Sequence, residues 1–218
     1  MNMLRLQLCV ALLASALFVV AQTELPAERS RTMPYPVTNV YDDPAAQDFV
    51  AGFNVTDVGN LHVYDAELAD AATAEDYMQG VAIAPTAYRF LPKAIKKQMS
   101  SGHKVYAVHS IRGEGQEYLL VKHPPLRGGV EYGLYAFDGE RMQHLVDLAG
   151  YSCNGSSCTQ MDSWIRDIDG DTRLDVIQKK KRPNGKTVMK VYMQTDDGRF
   201  KRTRRALDPV QYPMQEKS

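Results

Sequence analysis

The chain has 218 residues and carries 26 basic and 26 acidic side chains, a formal net charge of zero. The charge is unevenly spread, acidic from Glu24 to Asp76 and basic near the C-terminus. The basic stretch reads as a surface for an acidic glycan, lipopolysaccharide or nucleic acid, or as a solvated hairpin, with nucleic acid not the expected partner. The length is that of one ordinary domain, enough to bury a real core, once a leader is removed.

The leader is read from residues 1–21. Met1 to Arg5 is short and basic, Leu6 to Val20 is an almost unbroken apolar run, and Val19-Val20-Ala21 precede a cut ahead of Gln22. The run falls short of the ~20 residues needed to span a bilayer. No second hydrophobic span follows, so no transmembrane segment is expected, and the mature chain is expected to be secreted or periplasmic. Residues 22–46 read as a proline-rich extended linker, with Pro26, Pro34, Pro36 and Pro44 and little periodicity. Residues 47–103 read as a helical segment that packs on a sheet. A short strand is expected over residues 60–64. Asp65 then caps a helix over residues 66–77, and a second helix runs over residues 92–100 with Leu91, Ile95 and Met99 as its buried stripe.

From residue 104 to 210 the pattern is β. Eight strands are expected, over residues 105–112, 117–123, 130–137, 141–149, 159–166, 174–181, 187–194 and 199–206. Turn signals separate them, including Asp138-Gly139, Pro183-Asn184-Gly185 and Asp197-Gly198, where positive φ is tolerated. They fall into two similar groups of four. The fold class is therefore mainly β with N-terminal helices (α+β): two four-stranded antiparallel meanders, blade-like or closing into a barrel or sandwich. A complete propeller needs roughly four to eight blades, so the chain is too short for one. Residues 211–218 read as a disordered tail.

Cys9 goes with the leader. Cys153 and Cys158 remain, and an even pair in an exported chain points to a disulfide. The short loop it closes makes it worth roughly 2–3 kcal/mol.

The stretch Asp167-Ile-Asp-Gly-Asp-Thr-Arg-Leu-Asp175 places aspartates at positions one, three, five and nine of a tight loop. Alternate carboxylates on a curling loop can converge on one point, and Gly170 permits the bend. Arg173 stands at position seven, where such loops offer a backbone carbonyl. An EF-hand is excluded, because position six is Thr172 and position twelve is Gln178 rather than Gly and Glu. Between Asp167 and Phe200 the chain instead resembles the FG-GAP or VCBS calcium-loop repeat of integrin-type propellers. The resemblance rests on the acidic loop, the apolar strand after it, and the later Asp197-Gly198-Arg199-Phe200 ending. Thr172 departs from that pattern, which has a second glycine there. The resemblance implies Ca2+ as the bound ion, held by Asp167, Asp169, Asp171, Asp175 and the Arg173 carbonyl. A weak site is expected, on the order of 10⁻⁴ to 10⁻³ M.

Two basic rows follow: Lys179, Lys180, Lys181 and Arg182, then Lys201, Arg202, Arg204 and Arg205. They are an anion-binding surface or a solvated edge guarded by charge. His62, His103, His109, His123 and His144 are scattered and form no catalytic motif, although His109 and His123 can meet on paired strands. The expected function is an exported, non-catalytic, calcium-stabilised β-domain that binds an extracellular or periplasmic protein or glycan. A hydrolase of polysaccharide or phosphoester, with a cleft beside Asp175 or Asp162, and an anion-binding module are the alternatives.

Overall fold

The computed structural model describes residues 41–56, 60–68, 79–113, 116–126 and 129–216. The expected leader, the linker up to residue 40 and residues 69–77 of the expected first helix lie outside them. Helix α1 (Pro44–Ala51) begins where the linker was expected to continue. Asp43 caps it by accepting from the Ala45 amide, and Pro44 occupies the first turn, where a missing N–H leaves nothing unsatisfied. Ala46 and Phe49 are buried in a cluster with Phe53, Phe90 and Phe137. The ordering force is apolar burial against distant residues, which proline content does not report.

Strands β1 (Asn54–Thr56), β2 (Leu61–Val63) and β3 (Val81–Ala82) follow, so the segment expected to be helical also feeds the sheet. Asp65 does cap a turn, accepting from the Glu67 amide, but the described part, Ala66–Leu68, is a 3-10 turn. A second 3-10 turn, Pro85–Phe90, leads into helix α2 (Lys93–Met99). Leu91 and Ile95 are buried and Met99 packs against the same cluster, as the four-residue spacing requires.

Eight further strands complete the chain: β4 (Tyr106–Gly113), β5 (Gln116–Lys122), β6 (Tyr132–Phe137), β7 (Met142–Asn154), β8 (Ser157–Arg166), β9 (Asp175–Lys181), β10 (Thr187–Gln194) and β11 (Phe200–Thr203). The protein is mainly β. Its strands form one large, open, mixed sheet, in the order β1-β4-β5-β6-β7-β8-β9-β10-β11, with β3 also on β4 and β2 also on β8. All pairings from β4 to β11 are antiparallel, and β1 runs parallel to β4.

The two expected groups of four are not separate. Strand β7 is long enough to serve both: Met142 to Ala149 pair with β6, and Gly150 to Asn154 pair with β8. Gly150 marks the changeover. A Cβ there would stand 2.1 Å from the Gly129 carbonyl oxygen, so the crossing of the two backbones requires glycine.

Alternation along the strands divides the core. Leu119, Val121, Tyr135 and Phe137 face α1, α2 and the Pro85–Phe90 turn. Val108, Tyr118, Leu120, Tyr132 and Leu134 face the other way, and share a second cluster with Ile165, Leu174 and Val176 of the later strands and with Leu61 and Val63 of β2. A third, smaller cluster joins Trp164 and Ile177 to Tyr212, Leu207 and Met214. The expected disordered tail is thus a strap as far as residue 216. Lys179 Nζ donates to the Pro209 and Tyr212 carbonyls, and the Gln215 amide donates to Asp162. Its order comes from long-range partners, not from its own sequence.

Candidate metal centre

The acidic loop spans the gap between β8 and β9, two central strands. Its ends are fixed on both sides: Arg166 pairs with Asp175 across the ladder, and Leu174 plugs the core shared by both halves of the sheet. The Leu174 amide donates to Gln194 Oε1, and Gln194 in turn reaches the Tyr118 hydroxyl. The loop is therefore braced by the hairpin β10–β11 and by β5. Phe200, at the end of the calcium-loop-like stretch, packs against Tyr118 with ring centroids 6.5 Å apart.

Within the loop, Asp167 acts as the hub. Its Oδ1 accepts from the Gly170 amide at 2.7 Å and its Oδ2 from the Thr172 amide at 2.9 Å. Those bonds wind the backbone and require positive φ at Gly170 (80°) and at Thr172 (69°), the one non-glycine residue with positive φ among the described residues. The expected second glycine position is thus in the left-handed region despite its side chain.

Asp167, Asp169 and Asp175 converge, each offering a carboxylate oxygen within 4.8 Å of the others. Asp171 lies outside that trio but beside Asp169, whose carboxyl it helps to raise. It is drawn to Arg173, accepting from that residue's amide at 2.9 Å and lying 3.8 Å from its Nε. The Arg173 guanidinium also pairs with Asp196 on the β10–β11 turn. Three hard oxygens at this spacing could hold a hard divalent cation.

The electrostatics lean the same way. Burial pushes the Asp175 carboxyl up to about 6, with the charges of Asp169, Asp171 and Asp167 adding to the rise and the Ile168 N–H opposing it. Asp169 is raised as well, by desolvation and by its acidic neighbours. A divalent cation would relieve both effects at once. Arg205 reaches the loop from the far end of the chain: it donates to the Ile168 carbonyl at 3.0 Å and stands 4.0 Å from Asp169. No local spacing could have revealed it.

The other expected site residues are placed as follows. Cys153 and Cys158 form the disulfide and face one another across the β7–β8 hairpin. The two basic rows gather at one end of the sheet on either side of β10, since Lys179 pairs with Met189 and Thr203 with Val191. Lys179 is committed to the C-terminal strap and Arg205 to the acidic loop. His109 opposes Leu120, not His123, so the expected meeting of those two histidines across the ladder does not occur.

Asp162 is fully buried and accepts from Gln160, from the Gln215 amide and, at 3.2 Å, from His62. His62 stacks on Trp164 at 4.4 Å. The strap covers Asp162, while His62 stays partly exposed. Neither Asp162 nor Asp175 lines the hollow beside β10 and β11, the one between α1 and β3, or the one beside Tyr106 and Lys122. Among the described residues no helix is long and apolar enough to cross a membrane. No protein-family model matches the chain, and neither a curated protein nor a solved structure does.

Proposed function

We propose that this is an exported β-domain stabilised by Ca2+ in an FG-GAP/VCBS-like loop, with a binding role outside the cytoplasm and no catalytic one. The observation that carries the reading is the convergence of Asp167, Asp169 and Asp175 between two central strands. The ion's role is structural. It ties β8 to β9 where the ladder opens, and its binding energy adds to folding energy by mass action. The Cys153–Cys158 disulfide supports an oxidising compartment, as does the apolar leader sequence. The two meanders are read as opposed faces of a sandwich around their shared core, and the partner as an extracellular or periplasmic protein or glycan.

The test is calcium titration of the mature chain by calorimetry and thermal unfolding. With a dissociation constant on the order of 10⁻⁴ to 10⁻³ M, 10 mM calcium stabilises by roughly 1.4–2.7 kcal/mol. Asp169→Ala is expected to abolish that gain while leaving the calcium-free protein folded. A parent protein that shows neither heat nor a shift in Tm overturns the reading.

A further inference from the structure

Strand β11 leaves the sheet at Thr203, whereas β10 continues back to Thr187. From Thr187 to Lys190 the edge of β10 on that side has no strand partner among the described residues. The departing chain and this open edge enclose a notch of about 460 Å³, lined by Met189, Lys190, Val191, Arg202, Thr203, Arg204 and Arg205. Four of the seven lining residues are cationic and none is acidic. Among the described residues Lys190, Arg202 and Arg204 form no ion pair, in contrast to Arg173, Arg199 and Arg205. Arg205 has Asp169 as its counter-charge, but Lys190, Arg202 and Arg204 are like charges whose mutual repulsion an anion relieves.

We propose that this notch binds a compact polyanion carrying two or more phosphate or sulfate ester groups on a saccharide or polyol. Guanidinium forks match the oxygens of such esters in geometry as well as in charge. The volume lies within the range of small-ligand sites and exceeds what one inorganic phosphate fills. The lining has no aromatic ring, so it offers no platform on which a nucleic-acid base could stack. Recognition is therefore through the acid groups. Charge placed only to guard an edge needs a single row along the strand, whereas here cations from β10 and from the chain leaving β11 face one half-open notch.

The experiment is isothermal titration of the full chain with myo-inositol hexakisphosphate and with sucrose octasulfate, in the presence of a chelator. The chelator keeps metal out of the acidic loop, so binding or its failure here is read without calcium and is told apart from a failure of the calcium reading. Both probes are expected to bind, with affinity falling steeply as salt is raised. The Arg202→Ser, Arg204→Ser double variant is expected to bind about tenfold more weakly or worse, since each loses a charge-assisted contact. Both side chains are exposed, so its Tm is expected to match the parent's. A Lys96→Ser, Lys97→Ser variant on α2 serves as the control and is expected to bind normally. No heat with either probe overturns the proposal and leaves the charges as edge guards. Equal affinity of the double variant, or tighter binding of an oligothymidylate of the same charge, overturns it as well.

Discussion

Thr172 shows how one residue carries the cost of the loop. Its φ of 69° is held by the hydrogen bond its N–H donates to Asp167 Oδ2 and by the one its hydroxyl donates to the Asp171 carbonyl. Left-handed backbone costs a residue with a Cβ roughly 1–2 kcal/mol, and a β-branched side chain is poorly suited to it. Glycine removes that strain but adds entropy to the unfolded chain and loses the hydroxyl. Thr172→Gly is thus expected to stabilise the protein by about 1 kcal/mol, seen as a Tm raised by about 2–4 °C. Thr172→Val, which keeps the branching and drops the hydroxyl, is expected to lower it. Thermal scans of the two variants in chelator check this, and a destabilised glycine variant would show that the hydroxyl outweighs the strain. The departure from the FG-GAP/VCBS pattern was legible in the sequence. The route by which threonine is accommodated was not, because it depends on where the Asp167 carboxylate points.

At the scale of elements, local signals placed the hairpins well. Asn184-Gly185 and Asp197-Gly198 turn the chain as expected, with Gly185 and Gly198 at φ 76° and 75°. Most of the strands from β4 to β11 lie close to the expected ranges because alternation and turn chemistry are properties of neighbours in sequence, whereas β7 runs five residues past its expected end and β11 stops three short of its own. The C-terminal strap is the counter-example. Its prolines and polar residues give no periodic pattern, yet Tyr212 is buried edge-on against Trp164 with ring centroids 5.3 Å apart. Tyr212→Ala is expected to cost about 3 kcal/mol, by analogy with large aromatic truncations in cores. Denaturant unfolding measures it, and the chain's one tryptophan reports it directly through red-shifted emission. A loose tail would show neither effect.

For the whole molecule, docking of the segment around β2 onto the sheet has an electrostatic consequence. Asp65 is fully buried and accepts from the Tyr151 amide at 2.9 Å. It lies near Glu67 and Glu131, with Lys122 as the opposing charge. Burial first, then the Asp65 charge, pushes the Glu131 carboxyl from 4.5 up to about 7. The folded protein therefore keeps a proton that the unfolded chain has released. The stability this contributes is complete below about pH 4.5 and is lost as pH rises towards about 7. Burial raises Asp65 too, which bends the curve in the same direction. Glu131→Gln is expected to be more stable than the parent at about pH 8 and to converge with it near pH 4, by denaturant unfolding in chelator. An unchanged difference across that range would place the acid elsewhere.

The order of residues alone settled the strand and hairpin pattern, the pairing of Cys153 with Cys158 and the run of aspartates between two strands. Each of these follows from interactions a few residues apart. Folding brought Asp175 to Asp167 and Asp169, and Arg205 to Asp169. It also made β7 common to both halves of the sheet and laid the last residues over Trp164. Those outcomes rest on contacts between distant parts of the chain, where burial and charge compensation act through space and leave no mark in local sequence.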